Sequence, residues 1–224
     1  MRLNKYIALH LGLSRREADN YIDEGRVSIN GVTASLGAQT EDGDTITLNG
    51  KEISATTEYQ YLLLNKPVGY VCSRRAQGDA PTIYSILPDE LHVLKPVGRL
   101  DKDSSGLILL TNDGDFAHRM THPSFHKQKS YIISLDRDLE PLHQQMISDY
   151  GVQLEDGSSK LLLERRGEDS RKDWTVLMHE GRNRQIRRTF AAVGYEVTHL
   201  HRTQFGNYSL GDISPGSYVF VDMR

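Results

Sequence analysis

Ten consecutive residues, Gly98-Arg99-Leu100-Asp101-Lys102-Asp103-Ser104-Ser105-Gly106-Leu107, set an acid between two cations with a glycine on either side. Neighbouring positive charge favours a carboxylate, so Asp101 is expected to stay ionised, fit to act as nucleophile or general base. The glycines let the backbone turn tightly and approach a ligand closely. The same string also suits a plain polar loop before a buried strand. A calcium loop is a third reading, with Asp101, Asp103, Ser105 and Gly106 at its first, third, fifth and sixth places. Its twelfth place holds Asn112, which lacks the bidentate carboxylate such loops need.

Two further clusters carry chemistry. Glu180-Gly181-Arg182-Asn183-Arg184-Gln185-Ile186-Arg187-Arg188 opens a predicted helix. Helix N-termini and arginine forks both suit phosphate, although an exposed basic helix needs no ligand at all. Lys129-Ser130-Tyr131 begins a predicted strand, where Tyr131 is either core or a stacking platform. His118, His122 and His126 recur every fourth residue, but Pro123 interrupts the helix that would align them, and His199 and His201 lack a third ligand. No metal site is expected from either set, and no phosphate-cradling or dinucleotide fingerprint is present.

The elements that must position these groups follow from 224 residues, enough for one or two domains. Residues 1–50 read as a compact unit. Ser14-Arg15-Arg16-Glu17 is a capping box, Gly25 ends the helix, and Asn30-Gly31 makes a hairpin turn. A polar stretch, residues 51–58, reads as a linker. Beyond it, strands are predicted at 59–65, 106–111, 131–135, 174–178 and 195–200, and helices at 115–121, 139–149 and 182–193. Without regular βαβ alternation, the expected class is α+β on a mixed, largely antiparallel sheet over residues 59–224.

Composition narrows the function. Net charge is −3, yet Arg182, Arg184, Arg187, Arg188 and Arg202 face Glu196 alone between residues 182 and 202. A local basic face on a mildly acidic chain points to a directed polyanion partner. Cys72 is the single cysteine, which excludes an internal disulfide and fits a reducing, cytoplasmic compartment. No apolar run approaches the ~20 residues that span a bilayer, and the N-terminus does not read as a signal peptide.

Taken together, the clusters resemble the ribosomal pseudouridine synthases of the RsuA/RluB type. The Asp101 segment is similar to their signature, and the Tyr131 and Arg182–Arg188 segments to their two later motifs, in the same order. Arg2-Leu3, Lys5, Gly12, Ser14-Arg15-Arg16, Ala18, Ile22, Gly25 and Val27 through Gly31 resemble an S-four-type RNA-binding domain.

The resemblance implies a cofactor-free, metal-free isomerase. It breaks the bond from ribose C1′ to uracil N1, turns the base, and rejoins it through C5. Asp101 is then the essential carboxylate, attacking the sugar or removing a sugar proton. Arg187 pairs with it, Tyr131 stacks on the uracil, and Leu200 is the apolar residue beside the pocket. Arg99 helps hold the displaced nucleotide. Arg182, Arg184, Arg15, Arg16 and Lys5 meet RNA phosphates. The expected partner is ribosomal RNA or a ribosome-assembly intermediate, with no membrane and a monomeric protein. Two rivals stand beside this: a noncatalytic RNA-binding or assembly factor on the same scaffold, and a glycoside hydrolase. The latter fits poorly, since Asp101 and Asp103 on one loop seldom sit about 5–9 Å apart across a sugar.

Overall fold

Residues 1–53, 58–74 and 78–223 are described by a computed structural model. The first unit forms as its turn chemistry dictates. Helix α1 (Leu3–His10) packs on α2 (Arg15–Asp23). At the start of α2, Glu17 N donates to Ser14 Oγ at 3.1 Å and Ser14 N to Glu17 Oε2 at 2.7 Å. Gly25 follows with φ +69°. Strands β1 (Val27–Ile29) and β2 (Val32–Thr33) meet through Asn30-Gly31, both at positive φ. Asn49-Gly50 repeats the device between β3 (Ile46–Leu48) and β4 (Lys51–Glu52). The antiparallel order is β2-β1-β3-β4.

Here the expected linker is corrected. Lys51 and Glu52 pair with β3, and Ile53 is buried with Leu3, Ile7, Ile22 and Ile46. The stretch is polar because an edge strand faces water. Of the remainder, residues 54–57 lie outside the described residues.

The second unit is built on a nine-stranded sheet with β5 (Tyr61–Lys66), β6 (Lys95–Val97), β7 (Ser105–Thr111), β8 (Lys129–Leu135), a short pair β9 (Val152–Leu154) and β10 (Gly157–Ser159) standing apart, β11 (Leu162–Arg165), β12 (Asp173–Met178), β13 (Val197–Phe205), β14 (Tyr208–Ser209) and β15 (Tyr218–Phe220). Its order is β11-β12-β8-β13-β7-β5-β15, with β14 on β13 and β6 on β7. Helices α3 (Gly114–Thr121), α4 (Pro141–Gln145) and α5 (Gln185–Ala192) complete it.

The stretches Leu62–Leu64 of β5 and Leu107–Leu110 of β7 are apolar because both faces are covered. On β5 and β7, Leu62, Leu64, Ile108 and Leu110 enter a core with Trp174 and Phe190. Leu63, Leu107 and Leu109 point the other way, onto Phe116, Phe205 and Tyr208. The β13–β7 pair is parallel, and the other pairs of this sheet are antiparallel. It sets His201 against Ser105 and Arg202 against Gly106.

Two predicted helices change shape. The segment expected to run unbroken from 139 to 149 becomes α4 followed by a π-type turn at Met146–Tyr150. The helix expected from Arg182 starts at Gln185, because Arg184 takes a left-handed conformation (φ 46°, ψ 32°). The strand expected from 195 begins at Val197: Tyr195 is instead held in the core, with its hydroxyl accepting from Glu140 N at 3.2 Å. The two units touch through Lys5 and Asp115 at 2.6 Å and through Lys95 Nζ, which donates to Leu13 O.

Candidate active site

The Gly98–Ser104 loop runs along a cleft of about 400 Å3. Register explains the floor. Leu200 lies opposite Ile133 and Arg202 opposite Tyr131, so Leu200, Arg202 and Tyr131 share one face of the sheet. Lys129, two residues before Tyr131, joins them. Tyr131 and Leu200 are each 7% exposed and line the cleft, so Tyr131 is core and cleft floor at once.

Asp101 faces this space with about a third of its side chain exposed (33%). Its carbonyl accepts from Ser104 N at 3.1 Å, closing the loop into a turn. Underneath, the fully buried Lys66 donates from Nζ to Ser104 O at 2.6 Å and to Pro67 O at 2.9 Å. Burial pushes the Lys66 ammonium down, while Cys72, Asp101 and Asp103 oppose that shift. The Ser104 hydroxyl is buried without a hydrogen-bond partner.

The arginines are arranged otherwise than expected. Arg187 does not pair with Asp101. It donates from Nη2 to Asp103 O at 2.9 Å and from Nη1 to Val197 O, with Nε 3.3 Å from Asp103 Oδ2. The cation beside Asp101 is Arg184, at 3.7 Å, and it grips Asp103 with both arms at 3.0 and 2.8 Å. The left-handed turn at Arg184 carries its side chain to the loop, and Asp103 sits between the two guanidinium groups. Arg187 is therefore a strut between loop and β13.

Arg182, expected on phosphate, is spent inside the protein. It binds Asp156, the Gly157 and Ser158 carbonyls and Glu180. Lys5 is likewise taken by Asp115. Arg15, Arg16 and Arg99 remain exposed, and among the described residues none has an ion-pair partner. Arg99 borders the Asp101 cleft, while Arg15 borders a second cleft between the two units.

Sequence reasoning missed Arg202 and Lys66 as parts of this site. Arg202 had a signal: two residues beyond Leu200 on a strand, it must share that face. Lys66 closes an apolar run and had none.

Arg184, through its hydrogen bonds, and the charge of Arg187 hold the Asp103 carboxyl below the usual carboxylate range. A carboxyl depressed by folding stabilises the protein above its unfolded value of about 3.9 and loses that contribution as pH falls through the folded value. The Arg184–Asp103–Arg187 arrangement thus persists across neutral pH. By carboxyl NMR titration, Asp103 titrates below about 3.9, and Arg184→Gln moves its midpoint upward. An unmoved midpoint contradicts the arrangement.

Comparison with known proteins places this geometry. Residues 60–192 match the RNA pseudouridylate synthase family and residues 1–46 the S4 domain. The chain is 38% identical over 226 residues to ribosomal small subunit pseudouridine synthase A of Pasteurella multocida (strain Pm70), covering 97% of this chain and 94% of that one. It is 36% identical over 223 residues to ribosomal large subunit pseudouridine synthase B of Bacillus subtilis (strain 168), covering 96% and 89%. A crystal structure of a pseudouridylate synthase superimposes with a TM-score of 0.70 at 34% identity, over 99% of this chain and 96% of that one. With such agreement along nearly its whole length, the chain belongs to the RNA pseudouridylate synthase family and carries an S4 domain at its N-terminal end.

Proposed function

We propose that this chain isomerises uridine to pseudouridine in ribosomal RNA, with Asp101 as the essential carboxylate and without a cofactor. One observation carries the reading. Asp101 reaches into a cleft whose floor is Tyr131 and Leu200, and a cation, Arg184, stands 3.7 Å from its carboxylate. The reaction exchanges the N1–C1′ bond for a C5–C1′ bond and releases the C5 proton. It has no net oxidation and transfers no group between molecules, so an ionised carboxylate and a base-holding surface suffice.

Each residue has a part in that scheme. Asp101 meets the ribose, by bonding to C1′ or by taking a sugar proton. Tyr131 stacks on the uracil with Leu200 beside it, restricting the base while it turns. A uridine in folded RNA must leave its stack at a cost of a few kcal/mol. Arg99, exposed at the cleft edge, is placed to hold the displaced nucleotide. Arg184 and Arg187 fix the loop through Asp103, so that Asp101 meets its target in one orientation.

Arg15 and Arg16 serve as phosphate contacts of the S4 domain. Replacing both with glutamine weakens rRNA binding and flattens the slope of log affinity against log salt by about 1.5. Filter binding at several salt concentrations measures this; an unchanged slope removes them from the interface. The reading as a whole is tested by incubating the protein with small- and large-subunit rRNA, free and in assembly intermediates, and mapping pseudouridine by carbodiimide adducts. One or a few sites in one subunit support it. No new pseudouridine in any substrate means a noncatalytic binding factor.

A further inference from the structure

Arg202 carries a charge that no carboxylate answers among the described residues. The residue is 2% exposed, yet among the described residues Nη2 has no hydrogen-bond partner. Nε is used on Leu107 O at 2.7 Å, and the guanidinium lies 5.0 Å from the Phe205 ring centre. No carboxylate pairs with it among the described residues. Asp101 and Asp103 are engaged by Arg184 and Arg187, and Glu180 by Arg182. A buried cation without a counter-charge is costly and is normally paired.

Lys129 repeats the pattern from the neighbouring strand. It is half-buried, and among the described residues its Nζ reaches only the Glu180 and Lys127 carbonyls, at 3.3 and 3.5 Å. It faces the same Phe205 ring at 5.3 Å. Burial and the nearby Arg202 charge both push its ammonium down. Two cations thus converge on one aromatic ring at the cleft floor, and both line the cleft. An aromatic face compensates such charges in part, and an anion entering the cleft completes the pairing.

Within an RNA nucleotide the base and sugar are neutral, and the phosphodiester alone is anionic. A guanidinium fork with an ammonium beside it suits phosphate oxygens. Arg202 lies directly across from Tyr131 in the sheet, so such a site adjoins the base-holding surface. We infer that Arg202 and Lys129 form a phosphate seat, binding the phosphodiester attached to the uridine whose base rests on Tyr131. Which nucleotide enters rests on the isomerase reading above.

The test compares uridine with uridine 5′- and 3′-monophosphate, titrated into the full chain and followed by NMR. In the wild type at least one monophosphate binds about ten- to a hundredfold more tightly than uridine. Arg202→Gln removes most of that gain, and Lys129→Gln removes part of it. The seat is refuted by a wild type that does not distinguish the ligands, or by a full gain in Arg202→Gln. Should Arg202→Gln fail to fold, the wild-type comparison and Lys129→Gln decide. Wild type that modifies no rRNA but shows a gain dependent on Arg202 overturns the isomerase reading and keeps the seat. Activity on rRNA without any phosphate gain overturns the seat alone.

Discussion

Asp101→Asn lowers turnover on rRNA by at least about 10^4-fold while RNA binds within a few fold of wild type. The amide keeps the shape and polarity of the carboxylate but can neither form an ester to C1′ as the N1–C1′ bond breaks nor accept a sugar proton. Its loss removes a long charge contact with Arg184 at 3.7 Å and part of the support of the Lys66 ammonium, and leaves the bidentate Arg184–Asp103 pair intact. The fold is therefore expected to hold. Single-turnover kinetics with parallel filter binding separate the two effects. An equal drop in affinity and rate would make Asp101 a binding residue only.

The second large effect is on stability. Gly106→Ala costs more than about 4 kcal/mol or yields insoluble protein. A Cβ built at Gly106 falls 2.2 Å from Arg202 O and 2.6 Å from Arg202 N, backbone atoms that cannot rotate away. The residue also sits at φ +103°, outside the range side chains readily adopt. Because β7 and β13 pair in parallel at this point, any widening separates the Asp101 loop from the strand that carries Leu200 and Arg202. Urea unfolding measures the cost. An alanine variant within about 1 kcal/mol of wild type would contradict the close approach.

Gly106 shows where sequence reasoning was right for a different reason. A glycine beside the acid suggested close approach to a ligand, and the close approach is to another strand. Turn chemistry was fully legible: Ser14 with Glu17, Asn30-Gly31 and Gly25 each act within a few residues, so the string contains the whole cause. Strands β5 and β7 were legible from unbroken apolar runs, which follow from burial on both faces. Asp101 was singled out by its neighbours Arg99 and Lys102, and the fold sets it at the lining of the cleft.

Pairings set by tertiary structure were not. The Arg187 partner depends on the left-handed backbone at Arg184, which brings a second guanidinium to the loop and leaves Arg187 on Asp103. The occupation of Arg182 depends on Asp156 and the β9–β10 turn, some 26 residues away. Lys5 reads as a free cation until α3 brings Asp115 beside it across 110 residues. Charge in a sequence shows what is available, and only the fold shows what is already spent.

The most direct measurement is tritium release from rRNA labelled at uracil C5, wild type beside Asp101→Asn. The account predicts release by the wild type, stoichiometric with a small number of sites, and none above background by the variant. Release by Asp101→Asn at a rate near that of the wild type, or none by either protein from rRNA of both subunits and their assembly intermediates, would contradict it.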